Sequence, residues 1–241
     1  MSVSNVVKRS IGRNNECMRA AWLQEALSAI PANNRILDAG AGTQQYRKFC
    51  KHLEYVSQDF GEYDGKGDAV ALQPGQFDYG KLDIVCDITA IPEPDASFDA
   101  IMCTEVLEHL PNPALAIKEF SRLLKPGGQL IVTAPFCSLT HFAPYHFCSG
   151  FNKYWYESHF PEAGFEDVKI RGNGNYFEYI AQEVRRIRSV SRRYSKSRPN
   201  LFELFCIFIV VRMLSRLDKK DNGSSELLCY GYHVHAIKVS A

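Results

Sequence analysis

Near the start of the chain, Met18, Trp22, Leu23, Ala26, Leu27 and Ile30 recur at helical spacing. They predict a helix over residues 15–30, ended by Pro31 and the Asn33-Asn34 pair. The pattern then changes to short segments bounded by turn residues, which predict a buried strand over 35–39 and further strands over 54–59, 83–87, 98–103 and 129–134. Helical patterning fills 43–52 and 113–124, and Lys125-Pro126-Gly127-Gly128 reads as a turn. Residues 61–80 read as loop, because Gly61, Gly65, Gly67, Pro74, Gly75 and Gly80 interrupt any period. Strands alternating with helices specify a mostly parallel sheet covered on both faces. The last third is less regular. Helices are expected over 154–163, 177–190 and 199–217, a short strand over 167–171, and a final strand within 227–239 with Tyr230, Tyr232, Val234 and Ala236 on one parity. No repeat or linker is visible, so residues 1–241 are expected to form a single domain with a helical insertion at about 172–221.

Composition narrows the function classes. Apolar residues make up 46% of the 241 positions, enough for a large core. Lys and Arg number 28 against 27 Asp and Glu, a balance unsuited to a protein built mainly to hold phosphate backbones. The eight cysteines include no C-x-x-C pair and read as reduced, mostly buried small hydrophobes, and no metal is called for. The first 15 residues contain no apolar core of leader length, and the longest strongly apolar stretch, 204–211, falls far short of the roughly 20 residues of a membrane span. A cytoplasmic protein is the expectation.

The candidate chemistry begins where the first strand ends in Asp38-Ala39-Gly40-Ala41-Gly42. Glycines let a ligand approach the backbone, and the helix expected next offers unpaired N–H groups. Asp59 closes the second strand 21 positions after Asp38, a spacing that suits an acid accepting both hydroxyls of a ribose. A dinucleotide fingerprint wants a third small residue where Gln45 stands, so a pyrophosphate over this turn is not supported.

These segments, with Cys86-Asp87-Ile88, the run from Phe98 through Thr104, Glu105 and Glu108 to His109, and Leu123-Leu124-Lys125-Pro126-Gly127-Gly128, resemble the class I S-adenosylmethionine-dependent methyltransferases. The resemblance is to their type 11 small-molecule branch, over about residues 35–134. It implies a Rossmann-like α/β sandwich with a seven-stranded, mostly parallel sheet and an antiparallel last strand. It also implies S-adenosylmethionine as cofactor. Asp38, Gly40 and Gly42 would then lie at the methionine and ribose part, Asp59 and Phe60 at ribose and adenine, Asp87 and Ile88 at the adenine, and Thr104 and Glu105 at the methionine end. Gln44 departs from the family, where many relatives have a third glycine.

Ligands of open α/β sheets bind beyond the carboxyl ends of the strands, which places residues 135–147 on the acceptor side. His141 and His146 are the candidate catalytic groups, to position or deprotonate a small-molecule acceptor, and His109 reads as a structural partner of its own turn. Asn152, Tyr154, Trp155 and Tyr156 would line a pocket or form a helix's core face. Residues 184–202 hold Arg185, Arg186, Arg188, Arg192, Arg193, Lys196 and Arg198 and no acid. The preferred reading is a solvated helix face rather than contact with RNA, an anionic acceptor or a membrane surface, and no nucleic-acid partner is expected. The helix over 201–217 is apolar on most sides and needs cover from the core, a lid or a second subunit in a homodimer, in preference to a membrane. Two alternatives to small-molecule methyl transfer stay open: a catalytically silent S-adenosylmethionine-binding module, and an RNA methyltransferase using the basic run at 185–198.

Overall fold

The computed structural model describes residues 10–67 and 72–240. The leader reading therefore falls mostly outside the described residues, as does the middle of the glycine-rich loop. The elements follow the chain as α1 (Asn15–Ser28), β1 (Arg35–Ala39), β2 (Glu54–Asp59), β3 (Ile84–Val85), β4 (Phe98–Thr104), α2 (Pro113–Leu123), β5 (Leu124–Pro135), α3 (Lys153–Glu162), β6 (Phe165–Asn173), α4 (Tyr176–Tyr194), α5 (Leu201–Asp218) and β7 (Gly231–Lys238). The seven strands form one sheet in the order β3-β2-β1-β4-β5-β7-β6. β1, β2, β3, β4 and β5 pair in parallel, and β7 runs antiparallel along β5 from Gln129↔Ile237 to Pro135↔Gly231. This is the Rossmann-like sandwich with an antiparallel last strand.

By their contacts the residues group into two compact units. One comprises Met1–Ala21 and Gly172–Tyr230, the other Trp22–Arg171 and Gly231–Ala241. The larger unit is built on the sheet. Ile36, Leu37, Ala100, Ile101, Met102, Leu130, Ile131 and Val132 are wholly buried, as strands covered on both faces require. The smaller unit holds α4 and α5. Ile11, Ala181, Val211 and Leu214 form its core, and the Glu178 carboxylate is its polar centre, accepting from Gly12 N–H at 2.6 Å, Asn14 Nδ2 at 2.7 Å and the Tyr230 hydroxyl at 2.8 Å.

Several expectations are corrected. The helix expected over 43–52 is not an α-helix. Gln44 sits at φ +55°, outside the helical region, and the chain advances through i→i+3 bonds from Gln44 N to Ala41 O, Arg47 N to Gln44 O and Cys50 N to Arg47 O. Gln44 Nε2 instead donates to the carbonyls of Tyr79 and Lys81, at 2.8 and 2.9 Å, and ties this turn to the loop over 61–80. The third strand shrinks to Ile84–Val85. The expected turn at 125–128 lies inside β5, opposite a register shift between Phe98 and Ala100. Of the eight cysteines, none of them in a disulfide, only Cys50, Cys103 and Cys229 are buried, and Cys137 and Cys206 are exposed. In α3, Tyr156 is a core residue and Asn152 caps the helix by accepting from Trp155 N–H, while Tyr154 is exposed.

Candidate functional site

From β1 the chain steps to β2 and β3 on one side of the sheet, and from β4 to β5 on the other. The crevice beyond the carboxyl ends of β1 and β4 is therefore the switch point where such sheets bind ligands. Two turns meet there. At Gly40, φ +73°, an added Cβ would lie 2.4 Å from Val106 Cγ2, so no other residue fits. The N–H groups of Gly40 and Ala41 donate to the Gln58 carbonyl at 2.9 and 2.8 Å. The Gln58 side chain, also buried, donates to the Cys86 carbonyl at 2.7 Å and so locks the Gly-rich turn to the segment before Asp87.

Asp59 is buried at the end of β2. Its Oδ2 accepts from Gly42 N–H at 2.9 Å and its Oδ1 from Gly61 N–H at 3.2 Å. Burial pushes this carboxyl up, against the pull of those N–H groups. Each oxygen has a second lone pair, so the carboxylate can accept two further hydroxyls while the backbone holds it in place. A cofactor with a ribose diol fits this arrangement. Phe60 is exposed and edge-on to Tyr145, with centroids 5.0 Å apart. Asp87 is exposed and caps its own turn, its Oδ1 accepting from Thr89 N–H and Oγ1 at 2.8 Å each, while Ile88 behind it is buried. Thr104 ends β4. Glu105, at φ +55°, is pinned by Thr133, whose carbonyl accepts its N–H at 2.8 Å and whose hydroxyl donates to its Oε1 at 2.9 Å. Asp38 points to the Tyr55 hydroxyl at 2.5 Å, and burial pushes its carboxyl up to about 7.

On the acceptor side, the 140–147 loop is bonded to Leu72: Leu72 N–H donates to Thr140 O at 3.1 Å, and Phe142 N–H to Leu72 O at 3.3 Å. Phe142 stacks on Tyr63 with centroids 4.6 Å apart, and Phe77 stands edge-on to both rings. Against this aromatic wall lie three imidazoles, with centroid distances of 4.7 Å (His109–His141), 5.0 Å (His141–His146) and 6.0 Å (His109–His146). His109 Nδ1 donates to the Tyr145 carbonyl at 2.5 Å and His141 Nδ1 to the Leu139 carbonyl at 2.9 Å, so in the neutral rings both Nε2 atoms carry the lone pair. Those atoms lie 3.7 and 3.8 Å from Oε1 of the buried Glu108. Burial pushes His109 down to about 4, helped by His141, and lowers His146 as well. Ser138 gives its proton to the Ser149 carbonyl, so His146 is the donor in its 3.2 Å bond to Ser138 Oγ. The donor atoms of Glu108, His109 and His141 lie within 4.8 Å of one another, a set that could also hold a divalent cation, although no metal was expected from the sequence.

Residues 37–132 match the family described as a methyltransferase domain. Over 120 residues the chain is 32% identical to the ubiquinone biosynthesis O-methyltransferase of Dechloromonas aromatica (strain RCB), covering 48% of this chain and 50% of that protein. The match spans half or less of the length of the curated relatives. A methyltransferase from Archaeoglobus fulgidus superposes with a TM-score of 0.56 at 18% identity, over 92% of this chain and 93% of that one. The cyclase SpnF superposes with a TM-score of 0.57 at 17% identity, over 99% of this chain and 86% of that one. At such identities these structures establish the fold alone.

In the sheet-based unit the structure gathers Gly40, Gly42, Asp59, Phe60, Thr104 and Glu105 at the carboxyl ends of β1, β2 and β4, and Tyr145 meets Phe60 through its ring and His109 through its carbonyl. Two residues of consequence had no role in the sequence reading. Gln58 was visible only as a strand residue, and Glu108 only as part of the run ending at His109. An acid and a histidine side by side just past a strand end were the available signal for the second.

Proposed function

We propose that this chain transfers a methyl group from S-adenosylmethionine to a hydroxyl of a small-molecule acceptor, as a single domain with α4 and α5 as its insertion. The observation that carries the reading is the meeting, in one sheet-based unit, of a backbone-held Asp59 after β2 with a lone-pair-bearing His141 beside Glu108. When bound, S-adenosylmethionine supplies the electrophilic methyl on its sulfonium. Asp59 accepts the ribose hydroxyls, and Ile88 and Phe60 offer apolar surface to the adenine. His141 Nε2 accepts the acceptor's hydroxyl proton as the oxygen becomes nucleophilic, and the Glu108 carboxylate stabilises the imidazolium that results. His146 gives its Nε2–H to Ser138 and keeps a lone pair on Nδ1, but His141 is the better base because Glu108 Oε1 lies 3.8 Å from its Nε2. The aromatic wall of Tyr63, Phe77 and Phe142 excludes water and receives the acceptor's apolar part. The names of the curated O-methyltransferase relatives favour oxygen over nitrogen as the methylated atom. Eight cysteines outside any disulfide suit a reducing compartment such as the cytoplasm, and among the described residues no helix is long and apolar enough to cross a membrane.

Calorimetry with S-adenosylhomocysteine, followed by mass-spectrometric detection of methyl transfer to panels of phenols, amines and thiols, tests the proposal. Tight binding with turnover on hydroxyl acceptors is expected, and activity that survives a chelator assigns the histidines to proton transfer rather than to a cation. Binding without turnover on any panel identifies a silent binding module. Turnover on RNA, with steeply salt-dependent affinity, identifies a different substrate class.

A further inference from the structure

The helical unit carries a surface that its own core does not explain. Of the 18 residues of α5 only Val211 and Leu214 are buried. Leu201 is 87% exposed, Phe202 73%, Phe205 57% and Phe208 54%, with Ile209 and Met213 also open. Exposed apolar surface of several hundred Å² on one helix is more than a monomer ordinarily leaves to water. The end of α4 and the connection into α5 are basic. Arg188, Arg192, Arg193, Lys196 and Arg198 are all exposed, and residues 184–202 contain no acid. Tyr194 and Ile187 lie open among them. Glu203, the first acid after the run, is held in the capping box of α5, where its side chain accepts from Asn200 N–H at 2.7 Å.

We propose that the α4–α5 hairpin docks this protein on an anionic phospholipid surface, with Leu201, Phe202 and Phe205 entering the interface and the arginines and lysine at 188–198 on the headgroup phosphates. Bulky aliphatic and phenyl groups beside a basic cluster are what an interfacial segment needs. α5 lies on the membrane rather than through it, because among the described residues no helix is long and apolar enough to cross one. A second copy of the chain is the poorer occupant. A twofold interface sets the same patch against itself, and five exposed cations would meet five with no acid between 184 and 202 to pair with them. RNA is also the poorer occupant, since it would engage the cations but leave Leu201, Phe202, Phe205 and Phe208 in water. The proposal does not depend on the methyl-transfer reading.

Cosedimentation of the full chain with phosphatidylcholine vesicles, with and without about one-third phosphatidylglycerol, tests it. Binding to the anionic vesicles alone is expected, weakening as salt rises. Arg192→Glu with Arg193→Glu should reduce it at least about tenfold, and Phe202→Ser with Phe205→Ser, which leaves the charge unchanged, should do so as well. Should these variants fail to fold, an environment-sensitive dye on the exposed Cys206, in a Cys137→Ser background, reports the same event. Its emission should shift to the blue on anionic vesicles. No sedimentation and no shift overturns the proposal. So does a concentration-dependent dimer that the Phe202→Ser, Phe205→Ser pair dissolves while vesicles go unbound. RNA binding that the charge reversals abolish and the Phe pair leaves intact, without vesicle binding, overturns it too.

Discussion

Asp59 and His141 carry the two halves of the proposed chemistry, and each is held by backbone rather than by other side chains. Asp59 receives the N–H groups of Gly42 and Gly61, so its loss removes a pre-oriented acceptor without unpacking a core. Asp59→Ala should weaken S-adenosylhomocysteine binding at least about tenfold, since hydrogen bonds to a charged acceptor contribute about 1.5–3 kcal/mol. Normal affinity by calorimetry would remove Asp59 from the cofactor site. His141→Ala should lower kcat by about 100- to 10,000-fold with cofactor affinity nearly unchanged, and His146→Ala should cost less, because it is His141 whose Nε2 faces the Glu108 carboxylate. Equal activity in both variants and the parent would make the imidazoles structural. Asp59 was legible in the sequence because chain spacing to a Gly-rich turn is a one-dimensional signal. Glu108 was not, because its significance lies in facing His141, which is 33 positions away and arrives through a loop bonded to Leu72.

The strands were the most legible elements. β1 and β2 lie within the residues expected for them; in β1 the buried Ile36, Leu37 and Ala39 mark the strand, whereas β2 is read from Tyr55 and Val56 alone, its buried Ser57, Gln58 and Asp59 being polar. The helix expected at 43–52 failed for a reason no periodicity contains: the Gln44 backbone is left-handed and its amide is committed to the carbonyls of Tyr79 and Lys81. In the helical unit the lengths of α4 and α5 were close to expectation, but Glu178 was invisible as their anchor. It looked like a first-turn acid, whereas it is buried and accepts from Gly12, Asn14 and Tyr230. Glu178→Ala would take the partner from two buried donors, Gly12 N–H and Asn14 Nδ2, while the Tyr230 hydroxyl keeps only the carbonyl of residue 178, at 3.1 Å. It should destabilise the fold by about 3–5 kcal/mol in denaturant unfolding, against about 1 kcal/mol for Asn200→Ala, which removes only the exposed cap of α5. Similar losses for the two would show that Glu178 is not the anchor the geometry describes.

At the scale of the whole molecule, the buried Asp38 and the half-buried His109 set opposing dependences of stability on pH. Asp38 keeps its proton to about pH 7 in the fold, whereas its ordinary pKa is 3.8. Between those values the folded chain binds more protons than the unfolded one, so stability falls as pH rises through the window, by on the order of 4 kcal/mol in all. Asp59, also raised by burial, acts in the same sense. His109 is the reverse. Its ordinary pKa of 6.5 drops to about 4 in the fold, so from pH 4 to 6.5 the unfolded chain binds the extra proton and stability rises with pH, by on the order of 3 kcal/mol. Over pH 4–6.5 the two slopes largely cancel, and the parent protein should show little net dependence from this pair, hiding both groups. Single variants separate them. Asp38→Asn removes the falling contribution, and its stability relative to the parent should climb as pH goes from 4 to 7. His109→Gln removes the rising one, and its relative stability should decline from pH 4 to 6.5. Urea unfolding at half-unit intervals across this range measures both differences. Three parallel profiles would mean that Asp38 and His109 ionise in the fold as they do in the unfolded chain.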